Sequence, residues 1–159
     1  MKICKFYFDV KTKKDLKDLE NVLLDLSYMD LRGSNLEHAN LMYANLSYAD
    51  LRGVNLRDAN LYKTDLSYTD SRHADLSYVH LMHANLSYSN LNYTDLRGAN
   101  LSKANLSYAD LNYTNLSKAD LRGANLNKAD LSYANLNYTD LRGANLSKAN
   151  LSKASFKRC

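Results

Sequence analysis

Residues 94–113 read TDLRG ANLSK ANLSY ADLNY, four five-residue units centred on Leu96, Leu101, Leu106 and Leu111. The same period runs back to Leu26 and forward to Leu151 and Phe156 without an insertion, 27 units in all. Twenty-five centres are leucine; the exceptions are Ser71 and Phe156. Two residues before each centre stands alanine in 16 units, and threonine, valine, serine, Leu24 or Met29 in the rest. One residue before it stands asparagine in 14 units and aspartate in 11, with His80 and Ser155 as exceptions. The two residues after the centre are polar, tyrosine or glycine with few exceptions.

A period of five suits neither a helix, which needs apolar spacing of three and four, nor a long strand, which needs two. Inside one unit, however, small-in, polar-out, large-in is a three-residue strand alternation. The remaining two residues then form the centre of a β-turn. Strand, turn, strand, turn curls the chain, and four right-angle corners close a coil of 20 residues. Coils stacked at strand spacing make a solenoid of about seven turns, roughly 32 Å long. All five glycines (Gly33, Gly53, Gly98, Gly123, Gly143) fall at the second corner position. There a type II turn needs φ > 0. In most other units that position holds Tyr, Lys or His, for which φ > 0 is unfavourable, so type I corners are expected there and mixed turn types along the rod.

The units ADLSY, ANLSK, ADLRG and TDLSY resemble the pentapeptide-repeat family, A-(D/N)-L-X-X, over roughly residues 24–156. The resemblance implies a right-handed quadrilateral β-helix, an all-β solenoid. Residues 1–24 lack the repeat. Ile3, Phe6 and Phe8 suggest a short strand, and Thr12 and Asp15 a helix start followed by Leu16, Leu19 and Leu23. The expected organisation is a capping segment at 1–24 and a β-helix at 25–159. Only three residues follow Phe156, so the last coil is expected to be bare, and two copies could join through it as a homodimer. Fluoroquinolone-resistance members of the family dimerise through their C-terminal ends.

The chain has 159 residues, 21 Lys+Arg, 17 Asp+Glu and a net charge of +4, too small and dispersed for direct nucleic-acid binding. Cys4 and Cys159 form neither a disulfide framework nor a metal pair and suit a reducing cytoplasm. No apolar run is long enough for a membrane span, and the first residues do not read as a secretory signal. His80 and His83 should share a face, with His73 two faces away; without a third ligand no metal site is expected. No phosphate loop, nucleophile elbow or zincin motif is present, so neither an enzyme nor a cofactor is expected. The aspartates read as scaffold, bonding nearby backbone. Ser71 interrupts the leucine ladder at a cost of about 1.5–3 kcal/mol of burial and needs a hydrogen-bond partner, from the protein or from a water in a small polar cavity.

Units four apart share a face, which aligns Tyr28, Tyr48, Tyr68, Tyr88 and Tyr108, continued by Lys128 and Lys148. This row is the candidate partner surface. Stacking of identical rings accounts for it without any ligand; exposed aromatics also mark interfaces. The function expected is a non-enzymatic scaffold that binds an unidentified protein. The alternative comes from the resemblance. Some members imitate duplex DNA, bind DNA gyrase or topoisomerase IV and protect them from fluoroquinolones. A rod of this length imitating DNA would need about 19 negative charges, whereas residues 21–159 hold 13 acids and 15 bases. The regular threonines (Thr64, Thr69, Thr94, Thr114, Thr139) fall on the inward position, against an ice-binding face.

Overall fold

The computed structural model describes residues 24–157. The expected strand and helix before residue 24 lie outside the described residues. Over residues 24–157 the chain winds as a right-handed quadrilateral β-helix. Each residue before a centre makes a parallel bridge to the residue 20 further on, from Asp25 with Asn45 to Asn135 with Ser155. One coil therefore takes 20 residues, four units, one per side. Each side contributes a single bridge residue between two turns.

Backbone accounting explains the five-residue unit. In the unit centred on Leu86, the Leu86 N–H donates to Asn105 O of the next coil at 2.7 Å, and the Tyr88 N–H to Ser107 O at 3.1 Å. The Asn85 N–H donates back to Thr64 O at 3.0 Å, and the Ser89 N–H closes the turn on Leu86 O at 3.3 Å. The fifth donor, Ser87 N–H, goes to the side-chain oxygen of Asn85 at 3.3 Å. That last bond recurs at 24 corners, at 2.9–3.3 Å. An unpaired backbone donor in a packed coil costs as much as a lost hydrogen bond. Asn and Asp are the residues short enough to supply that acceptor locally, which is why they alternate at this position.

Corner conformation departs from expectation. All 26 corners among the described residues have positive φ at the second position: 54–62° at 21 non-glycine residues and 63–70° at the five glycines. With a hydrogen bond across each turn and negative φ at the first corner position, every corner is type II. The mixed turn types and the type I corners are not there. The reason is the peptide between the two corner residues. Ser47 O accepts from Tyr28 N–H of the preceding coil at 3.0 Å, while Tyr48 N–H donates to Ser67 O of the following coil at 3.0 Å. A type I turn rotates this peptide by about half a turn and would break both bonds. Two bonds at about 0.5–1.5 kcal/mol each offset the roughly 1–2 kcal/mol that a side chain loses in the left-handed region.

The leucine centres fill the axis: Leu46, Leu61, Leu91, Leu106 and Leu126 are each fully buried. The alanine row is 0–2% exposed in the interior coils, which lets the sides close. Thr64, Thr94 and Thr114 are buried and donate to the carbonyls of Leu41, Ser71 and Leu91. Ser71 finds its partner in the protein: its hydroxyl lies 3.3 Å from Thr69 Oγ1, which itself donates to Leu66 O at 2.8 Å.

Glycine substitutions separate corner strain from crowding. A Cβ at Gly53 meets nothing within 4 Å, whereas one at Gly98 would lie 2.7 Å from the Tyr78 ring. Gly53→Ala should cost about 1 kcal/mol, the left-handed penalty alone. Gly98→Ala should cost more, because the Tyr78 ring must also leave its seat. Urea midpoints of the two variants check this, with a larger fall expected for Gly98→Ala.

Candidate binding surface

Because every corner has one geometry, side chains 20 residues apart are held at coil spacing. Tyr28, Tyr48, Tyr68, Tyr88 and Tyr108 form a continuous stack, with centroids 4.9, 4.8, 4.9 and 4.7 Å apart and interplanar angles of 10° or less. Tyr48, Tyr68 and Tyr88 remain about half exposed. The Lys128 ammonium ends the stack, 4.7 Å from the Tyr108 centroid and 2.8 Å from its hydroxyl. The structure thus brings together all five candidate residues.

A second ladder lies on the next corner. His73, Tyr93, Tyr113 and Tyr133 stack at 5.2, 4.9 and 4.7 Å, and Lys153 ends that row 4.9 Å from the Tyr133 centroid. The aromatic recurrence at intervals of 20 was the signal for it in the sequence. The fourth side is different again. Met42, Tyr62 and Met82, with Asn60, His80 and Asn100, line a shallow recess, and Tyr62 meets Tyr43 and His83 edge-on. The three histidines do not converge: His73 stacks on Tyr93, His80 lines the recess and His83 abuts Tyr62. Among the described residues no group of three or more His, Cys, Asp or Glu could hold a metal ion. Among the described residues no helix is long and apolar enough to cross a membrane.

The acids are largely engaged. Asp50 binds Arg52 bidentately at 2.8 and 2.6 Å, and Asp70 binds Arg72 at 2.9 and 2.7 Å. Arg52 also reaches Asp70 of the next coil at 3.8 Å. Asp95, Asp120 and Asp140 are paired in the same way with Arg97, Arg122 and Arg142. The arginine hydrogen bonds hold Asp30 and Asp140 down to about 2, and they lower Asp50, Asp70 and Asp120 as well.

Matches to the description "Pentapeptide repeats" occur in eight copies, over residues 24–58, 55–87, 80–117, 99–132 and 124–159. The chain belongs to the pentapeptide-repeat family. Among solved structures it is similar to HetL of the cyanobacterium Nostoc sp. strain PCC 7120, a protein involved in heterocyst differentiation regulation. The identity there is 28%, covering 84% of this chain and 87% of that one, with a TM-score of 0.25. A pentapeptide repeat protein from the thylakoid lumen of Arabidopsis thaliana is 27% identical, covering 68% of each chain, with a TM-score of 0.29. QnrB1, a plasmid-mediated fluoroquinolone resistance protein, is 15% identical over 84% of each chain, with a TM-score of 0.29. No curated protein sequence matches the chain.

The pairing of this pentapeptide-repeat chain has a pH signature. Carboxylates whose folded pKa is depressed contribute stability above their unfolded value, near 4. That contribution is lost as pH falls through the folded value. The thermal midpoint should be flat above about pH 5 and fall between about pH 4 and 2. In Arg52→Gln/Arg72→Gln the fall should be shallower, as read by circular dichroism melts at each pH.

Proposed function

We propose that this protein is a non-enzymatic scaffold that presents the ladder Tyr28–Tyr108 to a protein partner. The observation that carries it is a row of five rings stacked at coil spacing and none fully covered. Rings ordered before binding lose little side-chain entropy on contact, which favours their use at an interface. The stacked faces are occupied by one another, so the ladder offers edges and hydroxyls rather than slots for an inserted base or sugar. A protein surface with apolar area and hydrogen-bond acceptors matches that chemistry.

Mimicry of duplex DNA is the competing reading. Support for it would be a free acidic stripe, and the acids at Asp30, Asp50 and Asp70 are bound by Arg32, Arg52 and Arg72. The pairing leaves each of these rungs with little net field, unlike a phosphate backbone.

The test pairs two triple variants at Tyr48, Tyr68 and Tyr88. Changed to Phe, the rings and their stacking remain; changed to Ser, both go. Partners captured by the wild-type chain should be retained by the Phe triple and lost from the Ser triple, with both variants melting cooperatively. Retention of every partner by the folded Ser triple would make the ladder structural only. A gyrase supercoiling assay with and without ciprofloxacin separates the competing reading, which requires inhibition or drug protection.

A further inference from the structure

The repeat is a background against which departures stand out. Among the 26 described corners the first position holds Ser, Arg, Asn or Glu at all but three, which hold Met42, Tyr62 and Met82. In the same units the residue before the centre is Asn or Asp everywhere except at His80. The fold brings all four departures to one place. Met42, Tyr62 and Met82 follow one another at intervals of 20, on consecutive coils of one side, and line a single recess with His80.

The repeat does not call for these residues. His80 costs its corner the side-chain cap, because no carboxamide or carboxylate oxygen stands two residues before Met82. Met42 is 38% exposed, in a row that continues as Ser102, Arg122 and Arg142. The other lining residues, Asn60 and Asn100, keep their ordinary work. Asn60 Oδ1 accepts from Tyr62 N–H at 3.2 Å, and Asn100 Oδ1 from Ser102 N–H at 3.1 Å and its hydroxyl at 2.7 Å. The soft or basic electron pairs left over are the thioethers of Met42 and Met82 and the imidazole of His80.

Met42 and Met82 flank Tyr62 by one coil on either side, so their backbones stand about 10 Å apart, twice the strand spacing. The three rotatable bonds of methionine let two sulfurs converge from that separation. The Tyr62 ring is anchored edge-on against Tyr43 and His83, with centroids 5.7 and 6.0 Å apart, and walls the recess.

Charge narrows the choice of occupant. No carboxylate lines the recess, and the Lys63 ammonium stands 5.2 Å from the Tyr62 centroid. A hard divalent ion needs several oxygen ligands, carboxylates among them. Neutral thioethers with an imidazole suit a soft ion of low charge.

We propose that the recess binds a soft monovalent metal ion of the Cu(I) class through Met42 Sδ, Met82 Sδ and the His80 imidazole. Taken alone, His80 and His83 lack a third ligand; the recess adds two thioethers to His80. The site lies on a different side from the Tyr28–Tyr108 ladder and does not depend on the partner of that ladder.

Ag(I), a redox-inert ion of the same class, tests this on the full chain with Cys4 and Cys159 alkylated, so that thiolates do not compete. Two-dimensional carbon–proton spectra follow the methionine methyls. Those of Met42 and Met82 should shift together and saturate at one equivalent, while the other methionines stay in place and Zn(II) moves none. Competition for Cu(I) against a bicinchoninate chelator gives the affinity. Met42→Leu/Met82→Leu, nearly volume-conserving, and His80→Asn, which restores the residue of the repeat, should each weaken it about tenfold or more. Thermal melts confirm that both variants are folded. Methyls that do not move would make the recess an apolar surface only. An equal response to Zn(II), or an unchanged affinity in either folded variant, would likewise overturn the proposal.

Discussion

The fold depends on one local hydrogen bond, made at 24 corners, from the backbone N–H after the centre to the Asn or Asp side chain two residues before it. A coil of 20 residues with four corners gives each five-residue unit five N–H groups. The stacking direction absorbs three and the turn one. The fifth points into the corner, where no backbone carbonyl among the described residues accepts it. The carboxamide or carboxylate oxygen fills that place, and the same side chains continue the network along the axis. Asn105, for instance, donates to Asn85 at 3.1 Å and accepts from Asn125 at 3.1 Å.

Once the donors are fixed, the corner peptide has one orientation, and everything on the surface follows from that. A single corner geometry repeated at coil spacing turns a sequence interval of 20 into physical rows. Stacked tyrosines, paired Arg–Asp rungs and lysines seated on tyrosine rings are all products of that register. Each contact adds a modest increment, about 0.5–1.5 kcal/mol for a ring pair, but its geometry is set by the backbone. A partner therefore meets a surface whose side chains are already ordered.

Much of this was legible in the sequence, because the five-residue period is a direct image of the corner spacing. The leucine and alanine rows, the 20-residue coil, the inward threonines and the alignment of Tyr28 through Tyr108 all follow from position in the unit. Corner conformation did not follow. Tyr, Lys and His disfavour φ > 0 as isolated residues, and only the bonds from Ser47 O and Tyr48 N–H to different coils show why they accept it here. In the second ladder the recurrence of Tyr93, Tyr113 and Tyr133 at intervals of 20 was legible, and only its extension to His73 was hidden, because Gly33 and Gly53 precede that ring in the row.

Amide hydrogen exchange tests the central bond most directly. The N–H groups after the centres in interior coils, such as Ser77, Ser87, Arg97 and Ser107, should exchange as slowly as the coil-to-coil donors Leu86 and Leu106. Met82 is the internal control, since His80 stands where its acceptor would be, and its N–H should exchange much faster. Uniformly fast exchange at Ser77, Ser87, Arg97 and Ser107 would show that the side-chain oxygens do not hold the fifth donor, and would contradict this account of the fold.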